Sequence, residues 1–135
     1  MVSNKYSIIL DSNALGSYNK GNLVTKNYKY LSIHKDLFIS LIDFLKKNNL
    51  MENIKIAVPR IVFEELKSQQ KISYKNDLNK IKEIFSKFED VEKFKLEIPE
   101  INYEYYLDEK IKAFTSKYNI IILDYPSKEI FLKLI

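Results

Sequence analysis

Three short apolar runs do most to limit what this chain can fold into: Tyr6 to Leu10 (YSIIL), Ile54 to Val58 (IKIAV) and Asn119 to Leu123 (NIIIL). The first is Ile-rich and lacks polar alternation, the pattern of a strand covered on both faces. The second is stopped by Pro59. Between the runs the spacing turns helical. Leu37, Leu41, Ile42 and Leu45 predict a helix from about Ser32 to Asn48. Pro59 suits a helix entry and predicts a short helix over Ile61 to Ser68. Leu78, Ile81, Phe85 and Phe88 predict a longer one over Asn76 to Phe94, ended by EIPEIN. Another spans Tyr103 to Tyr118, and Pro126 with Ser127 opens a last one. Ser17 to Asn27, with Gly21, reads as a loop. Strands alternating with helices predict an α/β fold with a parallel sheet.

The length of 135 residues fits one domain over 1–135. A chain of this size buries roughly two-thirds of its unfolded surface. Hydrophobic residues make up 46%, which excludes disorder as the default. There is no cysteine, so disulfides and thiolate metal sites are excluded. The absence of a membrane-length apolar run and a poor signal-peptide pattern fit a cytoplasmic protein without a membrane partner. The net charge of +4 and a pI near 9.0 permit attraction to phosphate backbones. Arg60 is the only arginine, however, and the lysines are scattered among glutamates, which equally describes solvated faces.

The chemistry gathers at two strand ends. In open parallel sheets, functional groups collect beyond the carboxyl ends of the strands. Asp11 stands at such an end and Asn13 follows two residues on. Glu64 and Glu65 are expected in the first turn of the helix after the second strand, where a helix N-terminus favours negative charge. Convergent carboxylates repel unless a cation lies between them, and hard oxygen donors suit Mg²⁺ or Mn²⁺. Such an ion activates water and stabilises charge on a phosphate. The plain alternatives are that Asp11 caps a helix and that the glutamates are ordinary first-turn residues.

The stretches IILDSNAL and VPRIVFEEL resemble the PIN-domain nuclease superfamily. That family opens with a strand ending in aspartate, a small hydroxyl residue and asparagine. Its second mark is a proline, an apolar pair and a glutamate before leucine, which puts Glu65 at the glutamate position. The later YNIIILDYPSKEIFLKLI is similar to larger bacterial PIN-like proteins. The resemblance implies a three-layer α/β/α fold with a short central parallel sheet and a Mg²⁺ or Mn²⁺ site that cuts RNA. Asp11 and Glu65 would be metal ligands, and Asn13 would steady the first carboxylate.

In the larger branch the third acid follows the helix that begins near Ser127. The resemblance therefore implies a domain lacking its C-terminal part. A more compact alignment uses Asp108 and Asp124 as the further metal ligands; otherwise Asp108 is a solvated helix residue and Asp124 a turn residue. Two carboxylates alone would hold a divalent ion weakly. A toxin or phage-defence effector is the setting the resemblance implies, with RNA as substrate and an antitoxin or other protein as partner; a homodimer is a further candidate. The competing expectation is a fold that has lost its later acids and binds RNA or protein without cutting.

Lys67 and Lys71, with Lys75, follow the acidic turn and are candidates to guide a phosphate backbone, or a solvated face. His34, the one histidine, reads as a surface residue. The run YEYY from Tyr103 to Tyr106 is the candidate for base stacking, against the simpler reading as core aromatics.

Overall fold

The computed structural model describes residues 6–125. Three of its strands form a parallel sheet in the order β1-β4-β5: β1 (Tyr6–Ile9), β4 (Ile54–Pro59) and β5 (Ile121–Leu123). Between β1 and β4 come α1 (Ser12–Leu15), a small antiparallel hairpin of β2 (Tyr18–Asn19) and β3 (Asn22–Leu23), and α2 (Lys35–Lys47). Between β4 and β5 come α3 (Arg60–Ser86) and α4 (Tyr103–Lys117). The fold is thus mixed α/β with a parallel sheet, as the apolar runs predict. The helix expected from Ser127 lies outside the described residues.

Register explains the core. Ile8 pairs with Ile56, and Val58 pairs with Ile122, so all four side chains lie on one face of the sheet. That face packs with Leu15 of α1, Phe38, Ile42 and Leu45 of α2, and Val62, Phe63 and Leu66 of α3, while Phe114 of α4 closes over the edge. Phe38 stands edge-on to Tyr118 at 4.6 Å and tilts against Phe114 at 5.2 Å, which locks α2 to the end of α4. On the opposite face Ala57 is buried between its neighbours. Ile9 beside it remains 61% exposed and Ile121 40%.

Two expectations change. The short helix over Ile61 to Ser68 and the longer one from Asn76 are one unbroken helix of 27 residues, which ends at Ser86, short of Phe94. No glycine or proline interrupts this stretch. The apolar period lapses midway because Gln70, fully buried, takes the inward position. The loop expected over Ser17 to Asn27 holds the β2–β3 hairpin. Lys20 and Gly21 both have positive φ, 54° and 80°, the sign pattern of a type I′ turn.

Candidate functional site

Asp11 follows β1 and caps α1: its Oδ1 accepts the Ala14 N–H at 2.8 Å. The capping role is therefore real, and it leaves the second carboxylate oxygen available. The Leu10 N–H donates to the Ala57 carbonyl at 3.0 Å, so Asp11 stands level with the end of β4, where Pro59 hands the chain to α3. Asp11 and the start of α3 thus share the carboxyl rim of the sheet. Asn13 is exposed in α1.

Tyr18 connects Asp11's side of the rim to Glu65. Its ring packs close against Gly16 and borders the hydrophobic core. Its hydroxyl is buried with no hydrogen-bond partner. Burial first, then the negative charge of Glu65, push its pKa up; Ser12 lies near enough to pull the other way without meeting hydrogen-bond geometry. Glu65 itself accepts a bond from Gln69 at 3.3 Å. Asp11 and Ser12 thus stand at the end of β1, and Glu65 of α3 is close enough to the Tyr18 hydroxyl for its charge to act there.

The remaining acids face the β5 side. Pro59 pairs with Leu123, so the next residues, Arg60 and Asp124, meet across adjacent strand ends, with a 2.6 Å ion pair. Asp108 and Glu64 line a hollow of about 200 Å³ that Arg60 also borders. The Lys67 ammonium lies 3.0 Å from Asp108, 3.2 Å from Glu64 and 3.6 Å from Glu104. Burial alone would depress its pKa, but the bonds from Asp108 and Glu64 outweigh that and raise it. Lys71 bonds Glu104 at 2.8 Å and, by that bond and its charge, holds the Glu104 carboxyl below its usual range.

The four acids expected to share a metal thus divide. Asp108 and Asp124 are each paired with a basic side chain, Lys67 and Arg60, while Asp11 caps α1 and Glu65 stands beyond the first turn of α3, which holds no acid. Among the described residues, no three His, Asp or Glu side chains are grouped so as to hold a metal ion. Lys67 has its charge satisfied within the protein and Lys71 shares Glu104 with it. The order of these pairs along the two helices, Glu64 and Lys67 toward Asp108 and Lys71 toward Glu104, shows that α3 and α4 pack antiparallel.

Sequence reasoning did not find Gln70. Its Oε1 accepts the Ser32 N–H at 3.0 Å, and its Nε2 donates to the Tyr30 carbonyl at 2.7 Å and the Tyr103 hydroxyl at 2.9 Å. The Tyr103 hydroxyl donates to the Tyr28 carbonyl at 2.8 Å, and that of Tyr106 to the Lys29 carbonyl at 2.8 Å. Tyr103 stacks on Tyr74 at 4.0 Å. In YEYY, then, Tyr103 is a core residue and Tyr105 is the exposed one. His34 is exposed at the start of α2, its backbone N–H bonded to the Leu15 carbonyl at 2.7 Å. Among the described residues, no helix is long and apolar enough to cross a membrane. No protein-family model, curated protein or solved structure matches the chain.

Proposed function

We propose that the chain is a PIN-like, divalent-metal-dependent ribonuclease that hydrolyses RNA phosphodiester bonds through the Asp11–Glu65 side of the rim. The observation that carries this reading is the strand-end aspartate standing at the rim where α3 begins, with Glu65 of that helix near enough to the buried, unpartnered Tyr18 hydroxyl for its charge to act there. Two hard carboxylates and a hydroxyl match the donor chemistry of Mg²⁺ or Mn²⁺. Asp11, through the oxygen not used in capping, and Glu65 would hold the ion, which would supply Lewis acidity toward the phosphate. Asn13 would steady the Asp11 side of the rim. The three-layer arrangement belongs to this proposal: a second helical layer would cover Ile9 and Ile121, which are exposed among the described residues.

A second reading is favoured by Lys67 and Arg60. Their charges occupy the acids that a fuller metal site would use. On this reading the chain retains the PIN-like architecture and binds RNA or a protein partner without cutting it. The two separate in one experiment, in which labelled single-stranded RNA is incubated with the protein and Mn²⁺ and then with chelator. Metal-dependent cleavage that disappears in Asp11→Ala and Glu65→Ala supports the nuclease. Retained binding with no cleavage by the wild type removes it and leaves the binding module.

A further inference from the structure

Lys67 and Lys71, two of the lysines that the sequence offers for nucleic acid, are engaged with acids, while another group of lysines surrounds an exposed aromatic ring. Tyr30 is 52% exposed. The ammonium groups of Lys29 and Lys35 stand 5.6 and 5.5 Å from its ring centre. Tyr30 separates two hollows. One, of about 400 Å³, runs from Ser17 past Lys26 to Lys35, with Asp36 as its one carboxylate. The other, of about 240 Å³, is floored by Ile33 and Phe114 and flanked by Lys35 and Lys110. Among the described residues, none of Lys26, Lys29, Lys35 and Lys110 forms an ion pair with an acid.

The loop that carries Tyr30 is held from beneath. Its backbone is bonded at Tyr28, Lys29, Tyr30 and Ser32 by the side chains of Tyr103, Tyr106 and Gln70. Helices α3 and α4 thus fix the loop's backbone while the Tyr30 ring remains in solvent. A ring on a preorganised backbone loses little freedom when a ligand stacks on it. The loop also reaches the catalytic side. Ser32 accepts the Ser17 N–H at 3.1 Å, and Ser17 precedes Tyr18.

We propose that Tyr30 is a stacking platform for a base of single-stranded RNA, with Lys26, Lys29, Lys35 and Lys110 taking the neighbouring phosphates. The inference rests on the RNA reading given above and supplies the place where the strand is held. An exposed ammonium over a ring is the weaker interaction, so Lys29 and Lys35 yield the face to a base and turn to its phosphates. The half-open hollows on either side suit a flexible single strand. An A-form duplex would bury its bases away from the ring.

The test is fluorescence anisotropy with a short labelled oligouridine in chelator, which separates binding from any cleavage. Wild type binds the oligouridine more tightly than a duplex of equal length. Tyr30→Ala binds roughly five- to a hundredfold more weakly, and Tyr30→Phe stays near wild type. Lys35→Ala and Lys110→Ala each make the dependence of log affinity on log salt shallower by about 0.7. These positions are exposed or half-exposed, and far-UV circular dichroism checks that the variants fold. Unchanged affinity in a folded Tyr30→Ala overturns the platform, as does a wild type that binds polyglutamate but not oligouridine. Failure of the nuclease reading shows separately, as RNA that is bound but left uncut when Mn²⁺ is supplied.

Discussion

Gln70 shows how one polar residue can organise a surface. A buried amide costs free energy unless its donors and acceptor are matched, and here three partners meet it: the Ser32 N–H, the Tyr30 carbonyl and the Tyr103 hydroxyl. Gln70→Leu would fill much of the volume but strand a buried N–H and a carbonyl of the loop. The expected loss is about 2–4 kcal/mol, since each unsatisfied group costs roughly 1–3 kcal/mol. Urea unfolding measures it as a lower midpoint at similar slope. A Leu variant as stable as wild type would mean that the loop finds other partners and that Gln70 does not hold it. The same variant should loosen the segment from Tyr28 to Ser32, seen as faster amide exchange there.

Among the elements, α1 and β2 meet at a close approach. A Cβ on Gly16 would strike the Tyr18 ring and lie 2.8 Å from Leu66 Cδ2 and 2.9 Å from the Ser12 carbonyl oxygen. Leu66 can turn aside, but the ring and the backbone oxygen cannot easily. Gly16→Ala is therefore expected to destabilise by about 1–3 kcal/mol, as overpacking does, and thermal unfolding would reveal it. An unchanged melting temperature would show that Tyr18 is free to move, which would weaken its place at the rim.

The elements also show what a linear reading can and cannot see. The β1 and β4 strands and the helix following Pro59 were legible because each is encoded locally, by an apolar run, a proline and helical spacing. Asp11 was legible as a strand-end residue, and both its cap role and its position at the rim follow from that. The continuity of α3 was not legible. Its inward positions change from Phe63 and Leu66 to Gln70 and Tyr74, because at that level the helix meets the backbone of a loop and the rings of Tyr28 and Tyr103 rather than aliphatic side chains. The partners of Lys67 were equally hidden, since Asp108 lies 41 positions away and only the antiparallel packing of α3 on α4 brings it near. For the same reason Tyr30 looked ordinary, because the side chains that hold its loop come from two later helices.

At the scale of the whole molecule, the seam between α3, α4 and the Tyr28–Ser32 loop joins titratable groups to overall stability. Burial pushes the Tyr103 phenol up from its usual value of 10.0 to about 12, against the pull of the Gln70 bond. In this range the unfolded chain loses the phenolic proton while the folded one keeps it. The stability Tyr103 contributes is therefore complete below 10.0 and declines as the pH rises toward about 12. A shift of this size corresponds to about 2–3 kcal/mol. Lys67 acts in the same direction, because its pKa is raised above 10.5 by Asp108 and Glu64 and its ion pairs weaken as it loses its proton. Two parts of one helix pair thus both weaken as the pH rises into the alkaline range. Tyr103→Phe removes the first contribution: it should cost about 1 kcal/mol at neutral pH through the lost hydroxyl bonds, yet show a shallower fall in stability above pH 10.0 than wild type. Urea midpoints taken across the alkaline range separate the two effects. An equally steep alkaline fall in Tyr103→Phe would assign it to Lys67 and the other tyrosines instead, and the seam would be held by its ion pairs rather than by its buried phenol.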